Sequence, residues 1–325
     1  VAVELEMLPE IEGDVPDVFR VRTGLYSVDH TLGLKGKWGF PLRTVVEIYG
    51  REHTGKSSLA YYLAGAIRPS GKVGIVDTEG SLDPEYLRIA FGQSGFSGTI
   101  KVTDILKKDK GRYHNEMVTE LADYLIDPDY NAIMLDSVSM YRSKQETEGE
   151  VGDANMGKRA QNIANWARRC ASHLQVYYNP PKTAIMVNHV FQSLSSRGHY
   201  TPGGRVKGHA ANFRLYMWRE ETFDDGSFLV NVKVEKLRWG GVRRDQIGKV
   251  YIIPGLGVSP EMTAVFDCVD LELAKRGNVV KYKGTKAGEE IWTSAGRIST
   301  LLKAAREGDK SKFKPFMKLL QEADG

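Results

Sequence analysis

The chain has 325 residues, 41% hydrophobic and 26% charged, and carries a formal net charge of +4. That composition permits a packed core and nucleic-acid binding without demanding the latter, and no apolar run approaches the roughly 18 residues of a membrane span, so no membrane partner is expected. The two cysteines, Cys170 and Cys268, lie far apart and match no metal-ligand spacing, which excludes a disulfide-built scaffold and points to a reducing, cytoplasmic setting.

Residues 1–22 are acidic and proline-punctuated, and read as an arm. From Thr23 onward, apolar runs alternate with amphipathic segments: TVVEIY (44–49), VGIVD (73–77), AIMLD (132–136) and AIMVN (184–188). Continuous apolar strands with helices between them predict an α/β fold built on a largely parallel sheet. Its strand ends, Asp77, Asp136 and Asn188, would share one ligand-binding edge. FRLYMWR (213–219), FLVNVKVEKLRW (228–239) and KVYII (249–253) read as further strands that extend the sheet antiparallel, the first two joined by an Asp224-Asp225-Gly226 hairpin. Past Pro260 the pattern becomes a short helix, a turn-rich GNVVKYKGTKAG piece and a lysine-rich helical tail. Residues 23–258 are thus expected to form the core and 259–325 a small C-terminal domain.

Gly50-Arg51-Glu52-His53-Thr54-Gly55-Lys56-Ser57 fits the G-x-x-x-x-G-K-[ST] pattern between a strand and the helical SSLAYYLAGAI that begins at Ser57-Ser58. Glycines let backbone N–H groups converge on phosphate oxygens, Lys56 pairs with the outer phosphates, and Ser57 offers its hydroxyl to Mg²⁺. ATP or GTP is the expected ligand. Asp136, at the tip of a buried strand, is placed to hold the metal's water shell beside Ser57. Glu79 in VDTEGSLDPEYL follows another strand end, where it either orients the attacking water or sits solvated in a turn. Tyr86 in that segment either lies on a nucleobase or packs in the core.

Taken together, VEIYGREHTGKSSL, DTEGSLDPEYL and, after LDSVSMY, ETEGEVGDANMGKRA (146–160) resemble the RecA-type recombinases, the ATP-dependent strand-exchange family. The resemblance implies a RecA-like P-loop ATPase core that binds ATP and Mg²⁺. It assigns water activation to Glu79, the Mg²⁺-side carboxylate to Asp136, adenine stacking to Tyr86 and a further nucleotide contact to Asp83. Met156, Gly157, Lys158 and Arg159 fall on a first DNA loop (about 146–158), with Arg168 farther along. A second loop (about 190–210) carries Arg197, Arg205, the Gly203-Gly204 pair and the candidate wedge Leu194, a mixture of cations, apolar groups and glycine that suits single strands. A merely solvated basic loop has the same composition.

Where most of the family has glutamine after the strand-end asparagine, this chain has His189. Phage-type recombinases of the UvsX kind share the Asn-His pair, and an imidazole there can bridge phosphate and loop by hydrogen bonding with a charge state that follows pH. Lys236 and Arg238, two apart on one strand face, resemble the pair that reaches across a protomer interface to the neighbour's ATP; Phe213 matches another interface position. The implied assembly is a head-to-tail helical filament on single-stranded and double-stranded DNA, in a bacterial or phage-infected cell, with single-strand-binding and mediator proteins as possible partners. The competing readings are a RecA-fold motor, either helicase or branch-migration ATPase, and a non-hydrolysing mediator.

Overall fold

The computed structural model describes residues 20–33, 38–104, 114–141, 156–177, 179–192, 199–201, 211–237, 247–286 and 289–324. Two short strands, β1 (Arg20–Val21) and β2 (Phe40–Pro41), pair antiparallel around helix α1 (Tyr26–Leu32), so the chain joins the fold before Thr23. Five strands then build a parallel block: β3 (Thr44–Gly50), β4 (Lys72–Asp77), β5 (Thr99–Asp104), β6 (Tyr130–Asp136) and β7 (Thr183–His189).

Helices cover both faces of this block, as near-continuous apolar strands require. On one side α2 (Lys56–Ala66) and α3 (Pro84–Gly92) meet Val46, Ile48, Val73, Ile75 and Met134. On the other, α4 (His114–Asp123) and α5 (Met156–Val176) meet Val45, Val76, Ile133, Leu135 and Met186. The period of two along each strand divides these residues between the faces.

A short antiparallel pair, β8 (Phe191–Gln192) and β9 (His199–Tyr200), follows β7. Next, β10 (Phe213–Thr222) adds parallel to β3, and β11 (Phe228–Leu237), β12 (Ile247–Ile253) and β13 (Gly257–Val258) continue antiparallel. The hairpin between β10 and β11 turns where expected, with Gly226 at φ 81° and Ser227 N–H donating 3.1 Å to Asp225 Oδ1. Among the described residues the sheet has nine strands, in the order β13-β12-β11-β10-β3-β7-β6-β4-β5.

In the C-terminal part, α6 (Pro260–Asp270) starts at Ser259, whose Oγ accepts from Met262 N–H at 3.2 Å. The turn-rich reading of the next segment is corrected: β14 (Ala274–Lys275), β15 (Val280–Lys286) and β16 (Glu289–Gly296) form a three-stranded antiparallel sheet. Two helices, α7 (Ile298–Arg306) and α8 (Lys314–Asp324), complete it. Their core is shared with the main sheet, since Leu229, Tyr251 and Ile253 pack with Met262, Phe266, Phe313 and Phe316.

The interface expectation for Phe213 is also corrected. Its side chain is fully buried within its own core, because the period of two on β10 turns Phe213, Leu215 and Met217 inward and Arg214, Tyr216 and Trp218 outward. No helix among the described residues is long and apolar enough to cross a membrane.

Candidate functional site

The phosphate-loop glycines are fixed by close packing. A Cβ on Gly50 would stand 2.3 Å from the Met217 carbonyl oxygen, and one on Gly55 would stand 2.1 Å from Ile252 Cδ1. Gly55 also adopts φ 74°, the left-handed region. As N-cap of α2 it provides no side-chain acceptor, so the helix start offers its first-turn N–H groups outward, an arrangement suited to anions. Arg51, Glu52 and His53 are exposed around the loop, while Thr54 is buried with its hydroxyl donating 2.9 Å to the Arg51 carbonyl.

Lys56 is buried at the base, its Nζ donating 2.7 Å to the Arg51 carbonyl. Burial pulls its pKa down to about 8, opposed by the fields of Asp136, Glu79 and Glu52. Ser58 Oγ and Tyr86 Oη share a hydrogen bond of 2.6 Å, which sets the tyrosine ring beside the loop. Asp83 caps α3, its Oδ1 accepting from Glu85 N–H at 2.7 Å and Tyr86 N–H at 3.2 Å, and so fixes the turn that carries Tyr86.

The carboxylates lie on adjacent strand ends because β4 and β6 are paired with Asp77 opposite Asp136. Asp77 is spent on the backbone: Oδ1 accepts from Glu79 and Gly80 N–H at 2.9 and 3.0 Å, and Oδ2 from Leu82 N–H at 3.1 Å. This turn presents Glu79, whose Oε1 accepts from Ser137 Oγ at 2.7 Å and lies 3.4 Å from His189 Nε2. The His189 contact, then Ser137, hold the Glu79 carboxyl below the usual range against the opposing effect of burial. The other ring nitrogen, Nδ1 of His189, is buried without a hydrogen-bond partner among the described residues.

Asp136 is buried and accepts from Tyr61 Oη at 2.9 Å and from Ser57. Burial raises its pKa to about 6, and the neighbouring Glu79 and Asp77 push the same way. A cavity of about 630 Å³ has Lys56, Ser57, Glu79, Asp136 and His189 in its lining, a size that suits a small ligand.

Residues passed over in the sequence complete this edge. Ser137 and Tyr61 hold the two carboxylates, and a fully buried Glu47 in the middle of β3 binds both Asn188 Nδ2 at 2.8 Å and Arg214 Nε at 2.6 Å. The signal for Glu47 was legible as one acid inside the otherwise apolar TVVEIY.

The other described candidates are not among the residues that line this cavity. Met156, Gly157 and Lys158 open α5; Arg159 Nη2 donates 3.0 Å to the Val138 carbonyl just past Asp136; Arg168 is exposed and binds Asn165 Oδ1 at 2.8 Å. Lys236 lies on β11 opposite Arg214, at a register irregularity, with its Nζ donating 2.7 Å to the Ala211 carbonyl. Leu194, Arg197, Gly203, Gly204, Arg205 and Arg238 lie outside the described residues.

A family model described as the RecA N-terminal domain matches residues 8–240. The chain belongs to the RecA family. It is 30% identical over 279 residues to Protein RecA of Saccharopolyspora erythraea, covering 83% of this chain and 75% of that protein. Similarity to Protein RecA of Corynebacterium aurimucosum is 28% over 288 residues, 86% of this chain and 72% of the other. For Protein RecA of Oceanobacillus iheyensis it is 28% over 290 residues, 86% and 78%. Membership makes the chain a recombination protein, in a family whose members are in general nucleotide-binding, DNA-dependent ATPases that form filaments on DNA.

Proposed function

We propose that this chain assembles head to tail on single-stranded DNA, pairs it with a homologous duplex and uses ATP hydrolysis at the Gly50–Ser58 loop to turn the assembly over. The observation that carries this reading is the convergence of Lys56, Ser57, Glu79, Asp136 and His189 on one cavity at the carboxyl edge of the sheet. Backbone N–H groups from Gly50 to Gly55 and the start of α2 wrap the triphosphate, Lys56 pairs with its outer phosphates, and Tyr86 lies beside the base on a turn fixed by Asp83. The Ser57 hydroxyl and Asp136 carboxylate form a hard-oxygen pair that suits Mg²⁺, which would offset charge on the β- and γ-phosphates.

Glu79 then directs a water at the γ-phosphorus. Its depressed pKa keeps it ionised at neutral pH, making it an orienting group first and a weak proton acceptor second. The new bond runs from water oxygen to phosphorus, the bond to the β-phosphate oxygen breaks with its electron pair leaving on ADP, and the water proton passes through the carboxylate to solvent.

His189, against Glu79 and at the start of the second loop, reports the γ-phosphate to DNA. The loop around Leu194, Arg197, Gly203, Gly204 and Arg205, together with Met156–Arg159 and Arg168, contacts phosphates and stacked base faces instead of base edges. Lys236 and Arg238 act on the neighbouring protomer's ATP, a heterologous contact that propagates as an open helix. Duplex DNA and single-strand-binding or mediator proteins complete the partners in this reading.

A Glu79→Gln variant tests the hydrolytic role. It should retain ATP and DNA binding while DNA-stimulated hydrolysis falls about 100-fold. Turnover at the wild-type rate would remove Glu79 from the mechanism.

A further inference from the structure

Glu47 lies on the central strand between β7 and β10, fully buried, where an unpaired carboxylate would be strongly disfavoured. Each of its oxygens is claimed by a donor from a different neighbouring strand: Oε1 by Asn188 Nδ2 on β7 and Oε2 by Arg214 Nε on β10. The far end of one donor reaches the functional edge and that of the other reaches the second loop. Asn188 Oδ1 accepts from His189 N–H at 3.0 Å, so its amide is committed at both ends and cannot be flipped without losing both bonds. Arg214 Nη2 reaches Thr201 Oγ1 at 3.3 Å, just before the second half of the second loop.

A side branch runs toward the strand that carries Lys236. The Arg214 guanidinium lies 4.5 Å over the Tyr49 ring, and Tyr49 Oη donates to the Glu235 carboxylate, next to Lys236 in sequence. One buried carboxylate therefore joins His189, Thr201 and the Lys236 strand.

We propose that Glu47 is a positioning residue that couples the nucleotide edge to the second loop by holding Asn188 and Arg214 in one arrangement. The inference rests on the function proposed above. Its chemistry requires an acid: a carboxylate presents two acceptors to two donors, whereas a glutamine of the same shape would turn an N–H₂ toward one of them and satisfy the other alone. Arg214 is the stronger, charge-assisted partner, so in Glu47→Gln the bond to Asn188, and with it the seat of His189, is the one expected to fail.

The test compares wild type, Glu47→Gln and Arg214→Gln for ATP hydrolysis without DNA and with poly-dT, for KM of ATP and for thermal stability. Arg214 is partly exposed and carries the test if Glu47→Gln does not fold. The proposal predicts that both variants keep DNA-free hydrolysis and KM within about twofold while stimulation by poly-dT drops about tenfold, with Arg214→Lys recovering part of it. Stimulation unchanged in both variants, whatever their melting temperatures, would overturn it, because Glu47 would then serve the fold alone. A raised KM with unchanged stimulation would overturn it too, placing Glu47 in the nucleotide pocket. Absence of DNA stimulation in the wild type would instead refute the underlying functional reading, and would be recognised before any variant was measured.

Discussion

Asp267→Asn is expected to stabilise the protein, and to do so only as pH rises. The Asp267 carboxylate is buried on α6, and burial pushes its pKa from the ordinary 3.8 to about 7, with Asp270 adding to the rise. Hydrogen bonds from Ser27 and the charge of Lys249 oppose it without cancelling it, and Oδ1 has no hydrogen-bond partner among the described residues. Because the folded pKa is raised, the protonated carboxyl is favoured in the fold; its stabilising contribution is full below pH 3.8 and is lost as pH climbs through 7.

At about 1.4 kcal/mol per pH unit, the loss amounts to about 4 kcal/mol in all, of which about 3 kcal/mol falls between pH 5 and pH 8. Asparagine cannot ionise and keeps an acceptor for Ser27. For a chain of this length, about 3 kcal/mol corresponds to a melting-temperature change of roughly 4 °C. Melting both proteins from pH 5 to 8.5 should show the variant gaining on wild type by about that amount. Parallel curves across the range would refute the claim that this carboxyl is held neutral in the fold.

Other substitutions probe the packing and the proposed relay. Gly50→Ala should lower nucleotide affinity and stability together, by about 1–3 kcal/mol, since its Cβ meets a backbone carbonyl that cannot swing aside; isothermal titration and thermal melting check this. Phe213→Ala should cost about 3–5 kcal/mol of stability measured by denaturant titration, whereas an interface residue would impair assembly and leave monomer stability alone. His189→Ala should leave ATP bound but reduce DNA-stimulated hydrolysis about tenfold, and a variant with full stimulation would remove the relay between Glu79 and the second loop.

The parallel block was legible because TVVEIY, VGIVD, AIMLD and AIMVN are uninterrupted apolar runs, and the phosphate loop because its glycines and Lys56 sit between such a strand and a helix. The edge strand β5 was missed. Its sequence TIKVTD holds two apolar residues, Ile100 and Val102, and Val102 is exposed, so the alternation is short and no buried run marks it. The C-terminal sheet was read as turns because KYKGTK is glycine- and lysine-rich; its inner face is carried by few residues, such as Tyr282 edge-on to Phe316. Phe213 was misplaced for a different reason. The alternation along FRLYMWR points it inward, whereas the resemblance to a family interface position points it outward. Glu47 stands out as the one acid in an apolar strand, but sequence alone does not say which donors a buried acid will meet.

The central claim is that ATP held at this edge drives homology-dependent pairing of DNA. D-loop formation measures it most directly, with homologous or heterologous duplex and with ATP, ADP or no nucleotide. The account predicts product only with homologous duplex and ATP; product without homology, or undiminished with ADP, would contradict it.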